Sequence, residues 1–253
     1  MKITTNEISH ADLSEQQANE SLVQLLKSCP LPDNQLLPNL GLFLHSKAFS
    51  RLLYFFHIYQ KIVDSQGIIV DFGTRWGQNM CLFAAFRSML EPFNRHRKIV
   101  GFDTFEGFPN DSITEKDGES DLMCPGSVHT VVDYKNYLDR LMTCHEVLNP
   151  LSHLKKYEIV QGDVCETLPK YLEENPHTII ALAYFDLDLY KPTKACLEAI
   201  YPFVIKGTVF GFDELNDQDS PGETVALREL LDLSNIKIQR YRYCSRTSYF
   251  IIE

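Results

Sequence analysis

At 253 residues and 44% hydrophobic, the chain can enclose one sizeable core with at most a small appendage. A formal net charge of −10 speaks against a nucleic-acid binder that works by phosphate neutralisation, and suits solubility or a divalent metal instead. Seven scattered cysteines without a CxxC pair, a polar start and no membrane-length apolar run lead us to expect a soluble cytoplasmic protein with reduced thiols and no membrane partner.

Residues 1–12 carry no strong pattern. Ser14 followed by Gln17 has capping-box spacing, and Leu22, Val23, Leu25 and Leu26 then form one apolar face. Three prolines make residues 30–41 an irregular connection. Over residues 46–64, Phe49, Leu52, Leu53, Phe56, Tyr59, Ile62 and Val63 recur at helical spacing, with His57 a packing histidine. We expect residues 1–66 to form an N-terminal helical extension and residues 67–253 the main domain. From Gly67 strands and helices alternate. Strands are expected at 68–72, 98–103, 157–161, 179–185 and 208–212, and helices at 80–90, 134–148, 165–174, 191–201 and 221–233. Residues 236–243 and 248–252 read as a closing hairpin. Residues 110–129 form a polar loop able to close over a substrate. These βα steps and the hairpin imply an α/β fold, a mixed sheet with helices on both faces.

The chemistry gathers at strand ends, where open α/β sheets bind ligands. Gly73 and Gly77 stand four apart after the first strand, but Arg75 and Trp76 between them depart from the dinucleotide G-x-G-x-x-G. Asp103 ends the second strand, where a carboxylate can accept both hydroxyls of a ribose. Asp163 ends the third and can accept an adenine amino group. Each also reads as a helix or turn cap. The unbroken apolar run 179–185 finishes in Asp186 and Asp188, and the strand 208–212 in Asp213 and Glu214. Two buried strands that both end in acid suggest a shared site.

The segments Val-Asp-Phe-Gly-Thr-Arg-Trp-Gly (70–77), Val-Gly-Phe-Asp-Thr-Phe-Glu-Gly-Phe-Pro (100–109) and Phe-Asp-Leu-Asp-Leu-Tyr-Lys-Pro-Thr (185–193) resemble the macrocin O-methyltransferase family of S-adenosylmethionine (SAM)-dependent enzymes. The resemblance runs from about residue 49 to residue 233. It implies a class I SAM-methyltransferase (Rossmann-like) fold: a mixed seven-stranded sheet whose last strand runs antiparallel. It implies that Gly73, Thr74, Arg75, Trp76 and Gly77 face the methionine part of SAM, with Arg75 on its carboxylate. Asp103 would hold the ribose with Thr104 and Phe105 beside it, and Asp163 would lie near the adenine. Against these stand bland readings, an exposed arginine for Arg75 and packing for Trp76.

The resemblance further implies methyl transfer to a sugar hydroxyl of a nucleotide sugar or glycosylated small molecule. Asp186, Asp213 and Glu214 would hold Mg2+ or another divalent ion that lowers the hydroxyl's pKa. The family's usual pair there is two aspartates, so Glu214 is a departure. Asp186 and Asp188 are the candidate catalytic acids, Asp188 as general base or as a helix cap. A metal-free version is open, because clustered carboxylates raise one another's pKa and so create a base. Tyr54 and helix 46–64 are candidates for the acceptor pocket. Arg51, Arg75 and Lys191 are candidates for an acceptor diphosphate, and His129 reads as a loop base or a solvated histidine. The N-terminal helices offer a homo-oligomer contact. Competing functions are a same-fold relative with other chemistry, such as the hydroxylase-labelled ones, and a non-catalytic binding module.

Overall fold

The computed structural model describes residues 11–253, so the unpatterned start lies almost wholly outside the described residues. Helix α1 (Leu13–Lys27) opens them. Its N-cap is Asp12, whose carboxylate accepts the Glu15 amide at 2.8 Å; Ser14, expected as the cap, donates its hydroxyl to that carboxylate instead. A charged oxygen serves the positive end of a helix better than a hydroxyl does. No residue of α1 is buried. A single helical turn, α2 (Asp33–Leu36), and a 3₁₀ stretch lead into α3 (Ser46–Gln60).

Seven strands follow: β1 (Ile68–Phe72), β2 (Ile99–Asp103), β3 (Tyr157–Gln161), β4 (Ile180–Phe185), β5 (Val204–Phe212), β6 (Gln239–Arg240) and β7 (Ser248–Ile251). They lie in the order β3-β2-β1-β4-β5-β7-β6. The first five are parallel, β7 is antiparallel to β5, and β6 antiparallel to β7. This is the mixed sheet of a class I methyltransferase. The expected strand 236–243 shrinks to β6. An edge strand is held only where its neighbour pairs with it, and β7 pairs there only through Ser248 and Tyr249.

Three helices cover each face. On one side α3, α4 (Gln78–Leu90) and α5 (Tyr134–Leu148) set Phe55, Ile58, Phe83 and Leu138 against Leu182 and Tyr184 of β4. On the other, α6 (Val164–Glu174), α7 (Tyr190–Ile200) and α8 (Gly222–Leu230) set Leu168, Leu197 and Leu227 against Ala183 and Phe185. Alternating side chains of β4 therefore serve both cores, and every residue of the strand is buried, as an apolar run on both faces demands. Phe185 stacks on Phe212 at 4.8 Å and Phe210 on Phe250 at 4.9 Å. Each such ring contributes about 1.5–3 kcal/mol through burial. Helix α3 is one of three core helices on its face, with Tyr54, Phe55, Ile58 and Tyr59 fully buried.

At the amino ends of the strands Arg97 is fully buried. Its guanidinium bonds Glu91 at 2.9 Å and the carbonyls of Ile62, Ser65 and Gly67. Glu91 also accepts the Tyr59 hydroxyl at 2.6 Å. The carboxyl ends are arranged differently. From β1 the chain passes outward through β2 and β3, then returns to β4 on the other side, leaving a crevice where the turn after β1 meets the turn after β4.

Candidate active site

The crevice holds two adjoining clefts. The smaller, about 120 Å³, is lined by Gly73, Asp103, Thr104, Gly162 and Asp163 among others. The larger, about 610 Å³, is lined by Arg51, Thr74, Trp76, Asp213 and Glu214. Arg75, Asp186 and Asp188 line both.

The smaller cleft is built by turns. Asp103 accepts the Arg75 amide at 2.7 Å and the Phe105 amide at 2.6 Å, one on each oxygen. Burial raises its pKa, while those two amides lower it. Asp163 caps α6 through the Cys165 amide at 2.8 Å. Thr104 braces the next turn, donating to the Gly107 carbonyl at 2.8 Å and accepting the Glu106 amide. Thr74 is buried and donates to Asp71 at 3.1 Å, and Asn79 holds the other Asp71 oxygen at 3.0 Å. Burial pushes Asp71 up to about 6. Gly73 sits at φ +80, and a Cβ there would lie 1.8 Å from the Asp186 carbonyl oxygen, so only glycine lets the β1 and β4 turns meet. Gly77 and Phe105 lie outside the two clefts' linings: Gly77 abuts Leu138, and Phe105 packs toward Tyr134. Trp76 meets Tyr134 edge-on and keeps one face at the larger cleft.

The acidic half is denser. Asp213 is buried, accepts the Tyr184 hydroxyl at 2.6 Å, and pairs with Arg51. The other arm of Arg51 bonds Asp186 at 3.0 Å, and its guanidinium lies 5.1 Å from the Phe55 ring centre. Glu214 pairs with Arg246, which also reaches Asp217 at 3.2 Å. Burial, then Asp213, raises the pKa of Asp186 well above its ordinary value. Asp188 takes a left-handed backbone at φ 60, and the neighbouring Glu214 has its Oε2 buried without a hydrogen-bond partner. Burial above all, and then Asp186, pushes Asp188 up to about 7. Burial and Asp188 push Glu214 up to about 10; Arg246 opposes this but is half exposed, and burial prevails. Glu223 is wholly buried, and its one amide, from Leu187 at 3.1 Å, does not offset the burial that raises its pKa.

The structure thus brings Asp186, Asp188, Asp213 and Glu214 together. It does not use Asp188 as a cap: the first amide of α7, that of Tyr190, is bonded by Asp117 of the loop at 2.5 Å. As arranged, the implied divalent ligands do not fit a metal ion. Arg51 spans Asp186 and Asp213, and Arg246 takes Glu214. Among the described residues no group of three or more His, Cys, Asp or Glu has the arrangement of a metal site. Tyr54, expected at the acceptor pocket, is a core residue donating to the Ser248 carbonyl at 2.7 Å, so α3 reaches the cleft through Arg51 instead. Of the residues considered for a diphosphate, Arg51 is spent on carboxylates and Lys191 bonds Asp111 in the loop. His129 is exposed and outside both clefts, and His57 packs against Tyr249 at 2.9 Å. Sequence reasoning gave no role to Tyr184, Asp117, Glu223 or Arg246. Only the alternation of β4, which turns Tyr184 toward α3, carried any signal of them.

No family model and no curated protein matches the chain. Solved structures do. The crystal structure of CalS11, a calicheamicin methyltransferase, is 38% identical over 99% of both chains, with a TM-score of 0.93. The apo structure of CalS11, described as a TDP-rhamnose 3'-O-methyltransferase, is 37% identical over 96% of both chains, with a TM-score of 0.85. The O-methyltransferase NovP shares the fold at 18% identity, covering 80% of this chain and 79% of its own, with a TM-score of 0.60. With motifs, strand order and near-complete coverage in agreement, the chain belongs to the macrocin-type family of SAM-dependent O-methyltransferases that includes CalS11.

Proposed function

We propose that the chain transfers the methyl group of SAM to a hydroxyl of a sugar borne by a nucleotide or by a glycosylated small molecule. The likeness to CalS11, 38% identity over 99% of each chain, carries this reading. The two clefts support it, one suited to a nucleoside and the other acidic and open to a polyhydroxylated acceptor.

SAM, when bound, supplies a methyl group on a sulfonium, a leaving group that departs without a proton. In this reading Asp103 holds the ribose: each of its oxygens already accepts one amide and keeps a lone pair for a hydroxyl. Asp163 has one oxygen beyond its capping bond for the adenine amino group. The turn of Thr74, Arg75 and Trp76 faces the methionine part. On the acceptor side Asp186 and Asp213 orient sugar hydroxyls as hydrogen-bond acceptors. Asp188 takes the proton of the reacting hydroxyl onto a carboxylate oxygen. Leu122 and Val128 of the loop line the cleft and limit water.

Product mass after incubation with SAM and a panel of nucleotide sugars tests this, the expected result being one sugar heavier by a methyl group. If calorimetry finds neither SAM nor S-adenosylhomocysteine bound at millimolar concentration, the reading is wrong. Leu13, Val23 and Leu25 of α1 remain exposed and support the homo-oligomer contact expected of this segment; sedimentation velocity measures it. No described helix is long and apolar enough to cross a membrane.

A further inference from the structure

The acidic half carries its own cations. Arg51 reaches in from α3, a helix that lies before the first strand, and one guanidinium spans carboxylates at the ends of two neighbouring strands, Asp186 after β4 and Asp213 after β5. Its orientation is set from two sides. The Phe55 ring lies 5.1 Å from the guanidinium carbon, and Asp213 is itself held by the Tyr184 hydroxyl at 2.6 Å. The third carboxylate, Glu214, is engaged by Arg246 from the closing hairpin. One oxygen of each of these three carboxylates is therefore already bonded to a charged donor, while Glu214 Oε2 is buried without a partner. A guanidinium stays protonated at any working pH, is planar, and matches carboxylates with two donors at once. To enter, an ion would have to separate Arg51 from two partners, one of them buried, and leave a charged side chain in the cleft without them.

We propose that Arg51 is the built-in cation of the acceptor half, a positioning residue that holds Asp186 and Asp213 in place and keeps a divalent ion from binding between them. The proposal rests on reading the acidic cleft as the acceptor half. It departs from the metal-assisted scheme that the family motifs imply, and it makes the chain a transferase whose acid cluster is charge-compensated by protein alone.

The test is Mn2+ titration followed by electron paramagnetic resonance, which reads free ion and needs no turnover. Wild type is expected to leave Mn2+ free at sub-millimolar concentration. Arg51→Gln is expected to take up one Mn2+ per chain at least about tenfold more tightly, and a further Asp213→Asn to abolish that uptake. Arg51→Lys, which keeps a positive charge, should still exclude the ion. SAM calorimetry on each variant shows that it is folded. One tightly bound Mn2+ in wild type, no gain in Arg51→Gln, or equal uptake by Arg51→Lys and Arg51→Gln would each overturn the proposal. Turnover that survives thorough chelation supports it, and turnover lost to chelation and restored by magnesium overturns it. The Mn2+ result stands even if no sugar is methylated, so failure of the functional reading and failure of this proposal are told apart.

Discussion

Asp188 shows how a residue's surroundings decide its use. It follows a buried strand and is twisted into a left-handed conformation, while α7 is capped by Asp117. With its pKa pushed up to about 7, it suits the role of base in the proposed transfer at neutral pH. It works ionised, so kcat should fall as pH drops through about 7 and level off above; a flat profile over that window would exclude it as the base. Asp188→Asn should lower kcat by about 10²–10⁴-fold with SAM affinity unchanged. Asp103→Ala should do the reverse in kind and weaken SAM binding, measured by calorimetry. The same titration has a stability consequence. In the unfolded chain Asp188 ionises near its ordinary value, about 4. Between there and about 7 the folded protein binds more protons than the unfolded one, so stability is full below the lower value and declines as pH rises across the window. Melting temperature should drop by roughly 5 °C between about pH 5 and about pH 8, and Asp188→Asn should shrink that drop.

The elements explain why some of the site was readable and some was not. Apolar runs and helical spacing located every strand of the parallel part within a few residues, because β4 and its neighbours are buried on both faces and tolerate nothing else. The acids at strand ends were equally visible, since their place follows from the strand. Asp117, Glu223 and Arg246 were not, and Arg51 was visible only as a diphosphate contact, not as the partner of Asp186 and Asp213. Each sits on a helix, loop or hairpin turn where a charged residue ordinarily faces water, and only tertiary packing brings it to the crevice. The loop is the clearest case. Asp117 is fully buried, completes a capping box with Thr114, and reaches across 73 positions to bond the Tyr190 amide. It fits because Gly222 opens α8 there; a Cβ on that glycine would stand 2.5 Å from the Asp117 carboxylate. Asp117→Ala should therefore cost about 1 kcal/mol or more through the lost cap, and should speed proteolysis within residues 110–129. Unaltered cleavage rates would mean that the loop is held elsewhere.

For the whole molecule, the two ends of the sheet divide the work. The amino end is a structural anchor: Arg97 ties β2's start to Glu91 and three carbonyls, and Arg87 pairs with Glu146 nearby. Removing one partner strands the other charge in the interior. Arg97→Met should destabilise the fold by about 3–5 kcal/mol in urea unfolding, and a loss under about 1 kcal/mol would show Glu91 reaching water. The carboxyl end holds raised acids that weaken the fold and serve chemistry. At that end Gly73 and Asp186 touch, with no room even for a methyl group between the two turns. In the proposed reading, cofactor grip and acceptor geometry are consequently one mechanical part, so selection cannot retune one without disturbing the other. New acceptor preferences have to arise at the cleft's other walls, α3, the loop and the closing hairpin, where replacements leave that joint intact.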